Sequence, residues 1–311
     1  MVLLRNPAYY GRFTGNVQRI EFSLLPSTAW LAGLALYEAD DLDIITLLPS
    51  PEMDRTRQLH SGEYFSTPRL ALCYLGFNLS RPPFNDDRVR QAFVMATDRE
   101  TLANMILKGY GAPATGGFIP PGMPGYSPGI SLPYDPDRAC RLLAEAGYPD
   151  GQGFLPVDAL TNVDQTAVEA VTVTEYLQAK WQENLKVKSV WEAVPQKDYL
   201  DRLYGGERPS IFFASWRYDI PDPENFLGWC WYMTQGQFET YASMMEKAEQ
   251  ATEPGEQLNL FGQADHILVE AAAFTPLWYT RLHMLVKPWV SKFPTSALKW
   301  WFWKDVIINP H

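Results

Sequence analysis

Between Val17 and Leu25 apolar and polar residues alternate. Ile20, Phe22 and Leu24 fall on one side, and Arg19, Glu21 and Ser23 on the other. A period of two predicts a half-buried strand. Pro26 ends it, and Ser27 can cap a helix running to about Glu38. The apolar run Leu42–Leu48 predicts a second strand. Strand, helix and strand in that order imply an α/β unit with parallel pairing. Leu70–Leu79 predicts a further strand, ended by Pro82 and Pro83. Asp86 or Asp87 can then cap a helix at about Arg88–Ala96. Asp98 can cap another at about Arg99–Lys108, with Gly109 and Gly111 near its end.

Ala112–Pro133 is rich in proline and glycine. A connection of that length is usually functional or a linker. Phe118, Ile119, Met123 and Tyr126 supply apolar anchors, which favours an ordered connection. Asp135 and Pro136 then open a helix, and Gly147 follows its end. From Asp158 to Trp216 helix and strand alternate. The elements are a helix over about Gln165–Asn184 with Ala170, Thr174, Leu177 and Trp181 on one stripe, a strand over Val187–Val194, a short helix over Gln196–Leu203, and a buried strand over Ile211–Trp216. Helices at about Ala242–Gln250 and Gly255–Ala273 and strands at Thr275–Tyr279 and Met284–Val286 complete the reading. The chain contains no internal repeat and no low-complexity tract.

At 311 residues the chain is long enough for two domains and a substantial core. Its net charge of −10 argues against a nucleic-acid or anionic-membrane surface. No stretch approaches the roughly 20 apolar residues of a spanning helix. The start, MVLLRNPAYYGRF, lacks the pattern of an export signal. Eleven Trp, 16 Tyr and 16 Phe serve either a large core or an aromatic-lined cleft. Cys73, Cys140 and Cys230 have no metal-site spacing, and they allow at most one disulfide. His60, His266, His283 and His311 are scattered and form no metal motif. Nucleophile elbows and phosphate-binding loops are absent, and Gly205–Ser210 reads as a turn. Lys299–Lys304 (KWWFWK) could contact a membrane or form a strand or packed tail.

The segment FFASWRYDIPDPENF, Phe212–Phe226, stands apart. An apolar strand ends at Trp216 and opens into a polar loop with Asp219, Asp222 and Glu224 interleaved with Trp216, Tyr218 and Phe226. Ligands of open α/β sheets bind beyond the carboxyl ends of strands. Three readings are open. In the first, the carboxylates cap backbone amides beside prolines. In the second, Asp219 pairs with a ligand ammonium while Trp216 stacks on it. Or two carboxylates form an acid/base pair, as in glycosidases.

Several segments in order carry a resemblance: NPAYYG, LGFNLSRPPFNDDRVRQAFVMATDRE, GAPATGGFIPPGMPGYSP, YDPDRACRLLAEAGYPDGQGF, SWRYDIPDPENFL and FTPLWYTRLHMLVKPWV. Together they resemble the extracellular solute-binding proteins of family 5, the oligopeptide- and dipeptide-binding components of ABC importers, with relatives for nickel and oligosaccharides. The resemblance implies an α/β, periplasmic-binding-protein-like type II fold, with the C-terminal lobe and part of the N-terminal lobe present. It implies a partial first lobe over 1–80, a ligand-binding lobe over 81–288 and a return segment over 289–311. It also implies a truncated chain whose full form works in the periplasm or at the cell surface with membrane permease subunits. Such a protein captures peptides without catalysis, metal or cofactor. Trp216, Arg217, Tyr218, Asp219 and Asn225 are the implied ligand-binding residues, with Trp216 walling the cleft and Asp219 pairing with a peptide ammonium. Where some members place an arginine for the peptide carboxylate, this sequence has Phe213. The alternative class is an extracellular hydrolase built on two of Asp219, Asp222 and Glu224.

Overall fold

The computed structural model describes residues 1–25, 30–46, 48, 53–206, 208–234, 237–294 and 303–311. In chain order the first elements are β1 (Val2–Leu4), β2 (Arg19–Glu21), α1 (Trp30–Glu38), β3 (Ile44–Ile45), α2 (Met53–Leu59) and β4 (Tyr64–Phe77). Next come α3 (Asp87–Met95), α4 (Arg99–Thr101), β5 (Gly111–Pro113), α5 (Pro136–Glu145), β6 (Val157–Asn162), α6 (Val163–Leu185), β7 (Ser189–Val194), α7 (Gln196–Tyr204) and β8 (Ile211–Arg217). The last are α8 (Pro223–Thr234), α9 (Glu239–Gln250), α10 (Pro254–Glu270), β9 (Phe274–Val286), β10 (Val290–Ser291) and β11 (Ile307–Ile308). The chain divides into two compact units. One comprises Met1–Arg69 with Arg281–His311, and the other Leu70–Thr280. The divisions fall inside β4 and β9.

The Leu70–Thr280 unit is built on strands in the order β7, β6, β8, β4, β9, with β5 paired to β9. β6 pairs in parallel with β7 and β8, whereas β8 pairs antiparallel with β4, placing Trp216 opposite Leu72 and Arg217 opposite Ala71. The helix–strand alternation expected in the block from Asp158 to Trp216 is present as α6–β7–α7–β8, and the strand β6, not among the expected elements, precedes it. Parallel neighbours need such helical crossovers. Trp181, Tyr74, Phe84, Phe93, Phe118, Phe212, Phe226 and Phe261 are fully buried and form the core of this unit. Helix α5 starts as its sequence predicts. Asp135 accepts a hydrogen bond from the Arg138 amide, Pro136 lies in the first turn, and Gly147 follows at φ 99°.

The long Pro/Gly segment is ordered and anchored where its apolar residues suggest. Phe118, Ile119 and Met123 are buried, and Tyr126 meets Tyr279 edge-on. A second restraint was not foreseen. Asp265 on α10 is fully buried and accepts hydrogen bonds from the Phe118 amide at 2.6 Å and the Ile119 amide at 3.2 Å. Burial pushes its carboxyl up to about 7 against the pull of those two amides. A Cβ on Gly117 would lie 2.2 Å from this carboxylate, so only glycine fits. The Tyr279 hydroxyl donates to the Gly117 carbonyl at 2.8 Å.

The other unit is smaller. β1 and β2 pair antiparallel, as do β10 and β11, and β3 pairs antiparallel with the end of β9. The parallel pairing expected of the first strands is thus corrected: each strand of that block finds an antiparallel partner from elsewhere in the chain. A cluster of Leu282, Met284, Val286, Val290 and Val306 forms its core. His283 is buried against the Tyr64 hydroxyl at 2.5 Å, and Lys287 pairs with Asp40 beneath the Tyr37 ring.

Three other elements depart from expectation. The helix expected over Arg99–Lys108 breaks after Thr101 into a π-helical turn, Leu102–Ile106. Phe274–Val286 is one continuous strand rather than two. Pro223–Thr234, taken as loop at its start, is a helix. The expected cap at Ser27 and most of the Lys299–Lys304 run lie outside the described residues.

Candidate ligand-binding site

β8 delivers Trp216 and Arg217 to its carboxyl end, and the chain then turns through Tyr218–Asp222 into α8. Backbone pairing explains the placement. The β8 ladder with β4 runs through Arg217, and the Tyr218 amide continues it to the Leu70 carbonyl. The turn into the helix is written in three consecutive residues. Asp222 accepts a hydrogen bond from the Glu224 amide at 2.9 Å, Pro223 opens the helix, and Glu224 places negative charge in its first turn. Asp222 is therefore occupied as a helix cap, the turn-forming role among the three readings.

Asn225 organises the loop. Its side-chain oxygen accepts the Asp219 amide at 3.0 Å, and its backbone carbonyl accepts the Trp216 indole N–H at 3.1 Å. Trp216 and Asp219 are thereby held to one residue of α8. Asp219 is exposed, and its carboxylate accepts no hydrogen bond or ion pair among the described residues. Arg217 is exposed, whereas Tyr218 and Asn225 are half-buried. The five residues singled out in the sequence thus sit on one strand end, one loop and the first turn of one helix.

The structure adds residues that the sequence reading passed over. The Trp216 ring stacks on Trp229 of α8, with centroids 4.4 Å apart and planes 10° from parallel. Trp229 is itself fixed by its indole N–H, which donates to the buried Tyr74 hydroxyl at 2.8 Å. Tyr232, one helical turn on, lies 6.0 Å from Trp229, and Tyr204 at the end of α7 meets both rings edge-on or tilted at 6.3 and 6.1 Å. Arg208 joins the two helix ends by donating to the Leu203 and Met233 carbonyls. Partial burial and the neighbouring Tyr232 raise the Tyr204 hydroxyl above the ordinary range. The signal was present in the sequence as GWCWYM, where Trp229 and Tyr232 are three apart and share a helix face.

Among the described residues no group of three or more His, Cys, Asp or Glu could hold a metal. Among them, too, no helix is long and apolar enough to cross a membrane. Cys73 and Cys230 are buried, and Cys140 is exposed.

A sequence model of the bacterial extracellular solute-binding proteins, family 5 Middle, matches residues 1–238. The chain is 28% identical to the probable deoxycholate-binding periplasmic protein of Escherichia coli strain K12, over 99% of this chain and 58% of that protein. It is 28% identical to di/tripeptide-binding protein 1 of Pseudomonas aeruginosa, over 81% of this chain and 48% of that protein. The chain spans about half the length of the curated relatives it matches. Among solved structures, HbpA2 from Haemophilus parasuis superposes with a TM-score of 0.83 at 21% identity, covering 99% of this chain and 61% of that one. The Escherichia coli murein tripeptide binding protein does so with a TM-score of 0.76 at 24% identity, covering 90% and 56%. The fold is that of the periplasmic binding proteins, type II, of which this chain carries a part.

Proposed function

The chain belongs to the bacterial extracellular solute-binding proteins of family 5, and we propose that it forms part of a peptide-capturing subunit of an ABC importer. The ligand-holding residues are Trp216, Arg217, Tyr218, Asp219 and Asn225. The observation that carries this reading is the exposed carboxylate of Asp219, without a partner among the described residues, on a loop fixed to the same asparagine as the Trp216 ring. An exposed carboxylate beside an aromatic wall suits a peptide's ammonium group. Asn225 contributes by fixing the geometry in advance, which limits the ordering that binding would otherwise cost. Relatives named for di- and tripeptides and for oligopeptides agree with this chemistry.

The role is binding, not turnover. Asp222 serves as a helix cap, which leaves the two-carboxylate hydrolase reading without one of its candidates. In the full assembly the protein works in the periplasm and hands its ligand to membrane permease subunits. Calorimetry with tripeptides tests the reading. Asp219→Asn is expected to weaken binding about tenfold or more, the loss of one charge-assisted hydrogen bond. N-acetylation of the peptide is expected to have the same effect on the unaltered protein. Equal affinity of free and acetylated peptides, or release of a hydrolysis product, would sink it.

A further inference from the structure

Trp216 is supported from outside its own strand and loop. In the β4–β8 ladder Leu72 lies opposite Trp216 and Tyr74 opposite Ala214. Paired residues share a sheet face, as do residues two apart on one strand, so Tyr74 and Trp216 project from the same side. Trp229 of α8 meets both. Its indole N–H donates to the Tyr74 hydroxyl at 2.8 Å, and its ring lies against the Trp216 ring at 4.4 Å and 10°. Tyr74 is wholly buried and is wedged among Phe118, Phe212 and Phe274, with ring centroids 4.9, 6.3 and 5.7 Å away. The support therefore starts in the core and ends at a half-buried ring of the candidate site.

This arrangement leaves the Trp216 ring little freedom, although such a ring turns about only two side-chain torsions to begin with. The stack on Trp229 fixes its plane, and the indole N–H bond to the Asn225 carbonyl fixes its direction within that plane. One face is already covered and the N–H already engaged, so a ligand meets the opposite face and the remaining edge. A side chain ordered before binding does not have to be ordered by it. We infer that Trp229, anchored by Tyr74, is a positioning residue that presents Trp216 to the peptide in one fixed plane and raises affinity without touching the ligand. This role rests on the peptide-binding reading and adds to it the residues that make the wall rigid. Asn225 holds Trp216 by its N–H from within the site, whereas Trp229 holds it by its face from the core.

The test uses the full chain with ¹⁵N-labelled tryptophan indoles, the Trp216 signal being assigned by its loss in Trp216→Phe. Affinity for Ala-Ala-Ala is measured by calorimetry. Tyr74→Phe removes one buried oxygen and changes nothing at the surface. It is expected to weaken binding about threefold, and Trp229→Leu about fivefold, the latter ratio corresponding to about 1 kcal/mol. In a Trp216→Ala background neither change is expected to weaken binding further, because both act through that ring. Relaxation of the indole ¹⁵N separates positioning from plain support of the fold. In the unaltered protein the Trp216 indole is expected to be as rigid free as it is with peptide. In Trp229→Leu it is expected to be mobile when free and rigid again with peptide, while urea unfolding shows that the fold is kept. Should Trp229→Leu not fold, Tyr74→Phe carries the same comparison. Losses that add to that of Trp216→Ala would make Trp229 a direct ligand contact and overturn the role. So would a free Trp216 indole that is equally rigid in every variant. Undiminished affinity in Tyr74→Phe and Trp229→Leu, with Asp219→Asn still weakening binding, would overturn the role and leave the peptide reading standing. If Ala-Ala-Ala does not bind the unaltered protein, the peptide reading falls, and relaxation of the free ring still decides whether Trp229 holds Trp216.

Discussion

Two aspartates in the Leu70–Thr280 unit hold the same functional group in opposite circumstances. Asp265 is fully buried, and each carboxylate oxygen accepts a backbone N–H of the Pro/Gly segment. Asp219 is exposed, and its carboxylate has no partner among the described residues, although its amide is held by Asn225. The buried group is fully spent on structure, because an unsatisfied buried polar atom costs about 1–3 kcal/mol. The exposed group is positioned but unspent, which is what a binding residue requires. The comparison teaches where to look for function in this protein: at polar groups whose backbone is fixed and whose side chain is idle, rather than at the most perturbed ones.

The contrast can be broken most forcefully at Asp265. Asp265→Ala orphans the Phe118 and Ile119 amides, and a loss of about 4 kcal/mol is expected in urea unfolding. A loss below about 1 kcal/mol would mean that the amides find other partners. The same residue predicts a pH dependence. Its folded pKa, about 7, lies above the ordinary carboxyl value of 3.8. The folded state therefore holds a proton that the unfolded state releases, and stability falls as pH rises from about 4 through about 7. The contribution is fully present below pH 4 and lost above pH 7. Cys230, Tyr241 and Tyr279 are its electrostatic neighbours and stay neutral throughout, because each is itself raised. His266, next to it in α10, favours the charged form slightly. Unfolding free energies measured between pH 4 and 8 are expected to fall more steeply in the unaltered protein than in Asp265→Asn. Parallel profiles would contradict the assignment.

Smaller effects sharpen the comparison. Gly117→Ala drives a methyl group against the Asp265 carboxylate and is expected to cost about 2 kcal/mol, read as a lower urea midpoint. Asp222→Ala removes the cap of α8 and is expected to cost about 1 kcal/mol. Asp219→Asn is expected to leave the urea midpoint within about 0.5 kcal/mol of the original, while weakening peptide binding. A large stability loss there would make Asp219 a structural residue like Asp265.

Much of the fold was legible where one physical signal dominated. The α6–β7–α7–β8 order follows from clean changes of period. Helix α5 follows from Asp135, Pro136 and Gly147. Helix α8 presents the same opening, Asp222–Pro223–Glu224, yet its interior hid it. Its buried residues, Pro223, Phe226, Leu227, Cys230, Met233 and Thr234, do follow a helical stripe. The exposed positions between them include Trp231 and Tyr232, so apolar residues occur all around and the stripe is masked. The antiparallel pairings of β1–β3 were illegible for a different reason. Their partners are either short, exposed segments or come from the far end of the chain, and local periodicity says nothing about distant partners. In the candidate site, interleaved charge and aromaticity marked the loop in the sequence. The role of Asn225 was not evident there, since it depends on which way one side-chain amide turns.

Asn225 has a thermodynamic consequence. One oxygen steadies Asp219 and the other steadies Trp216, so the two ends of the site share a single support. Groups that share a support do not contribute independently. A ligand group that tightens the Asp219 loop also stiffens the setting of the Trp216 ring, and the reverse follows by reciprocity. In a double-mutant cycle the losses from Asp219→Asn and Trp216→Phe would therefore not sum, and the shortfall would vanish once Asn225 is replaced.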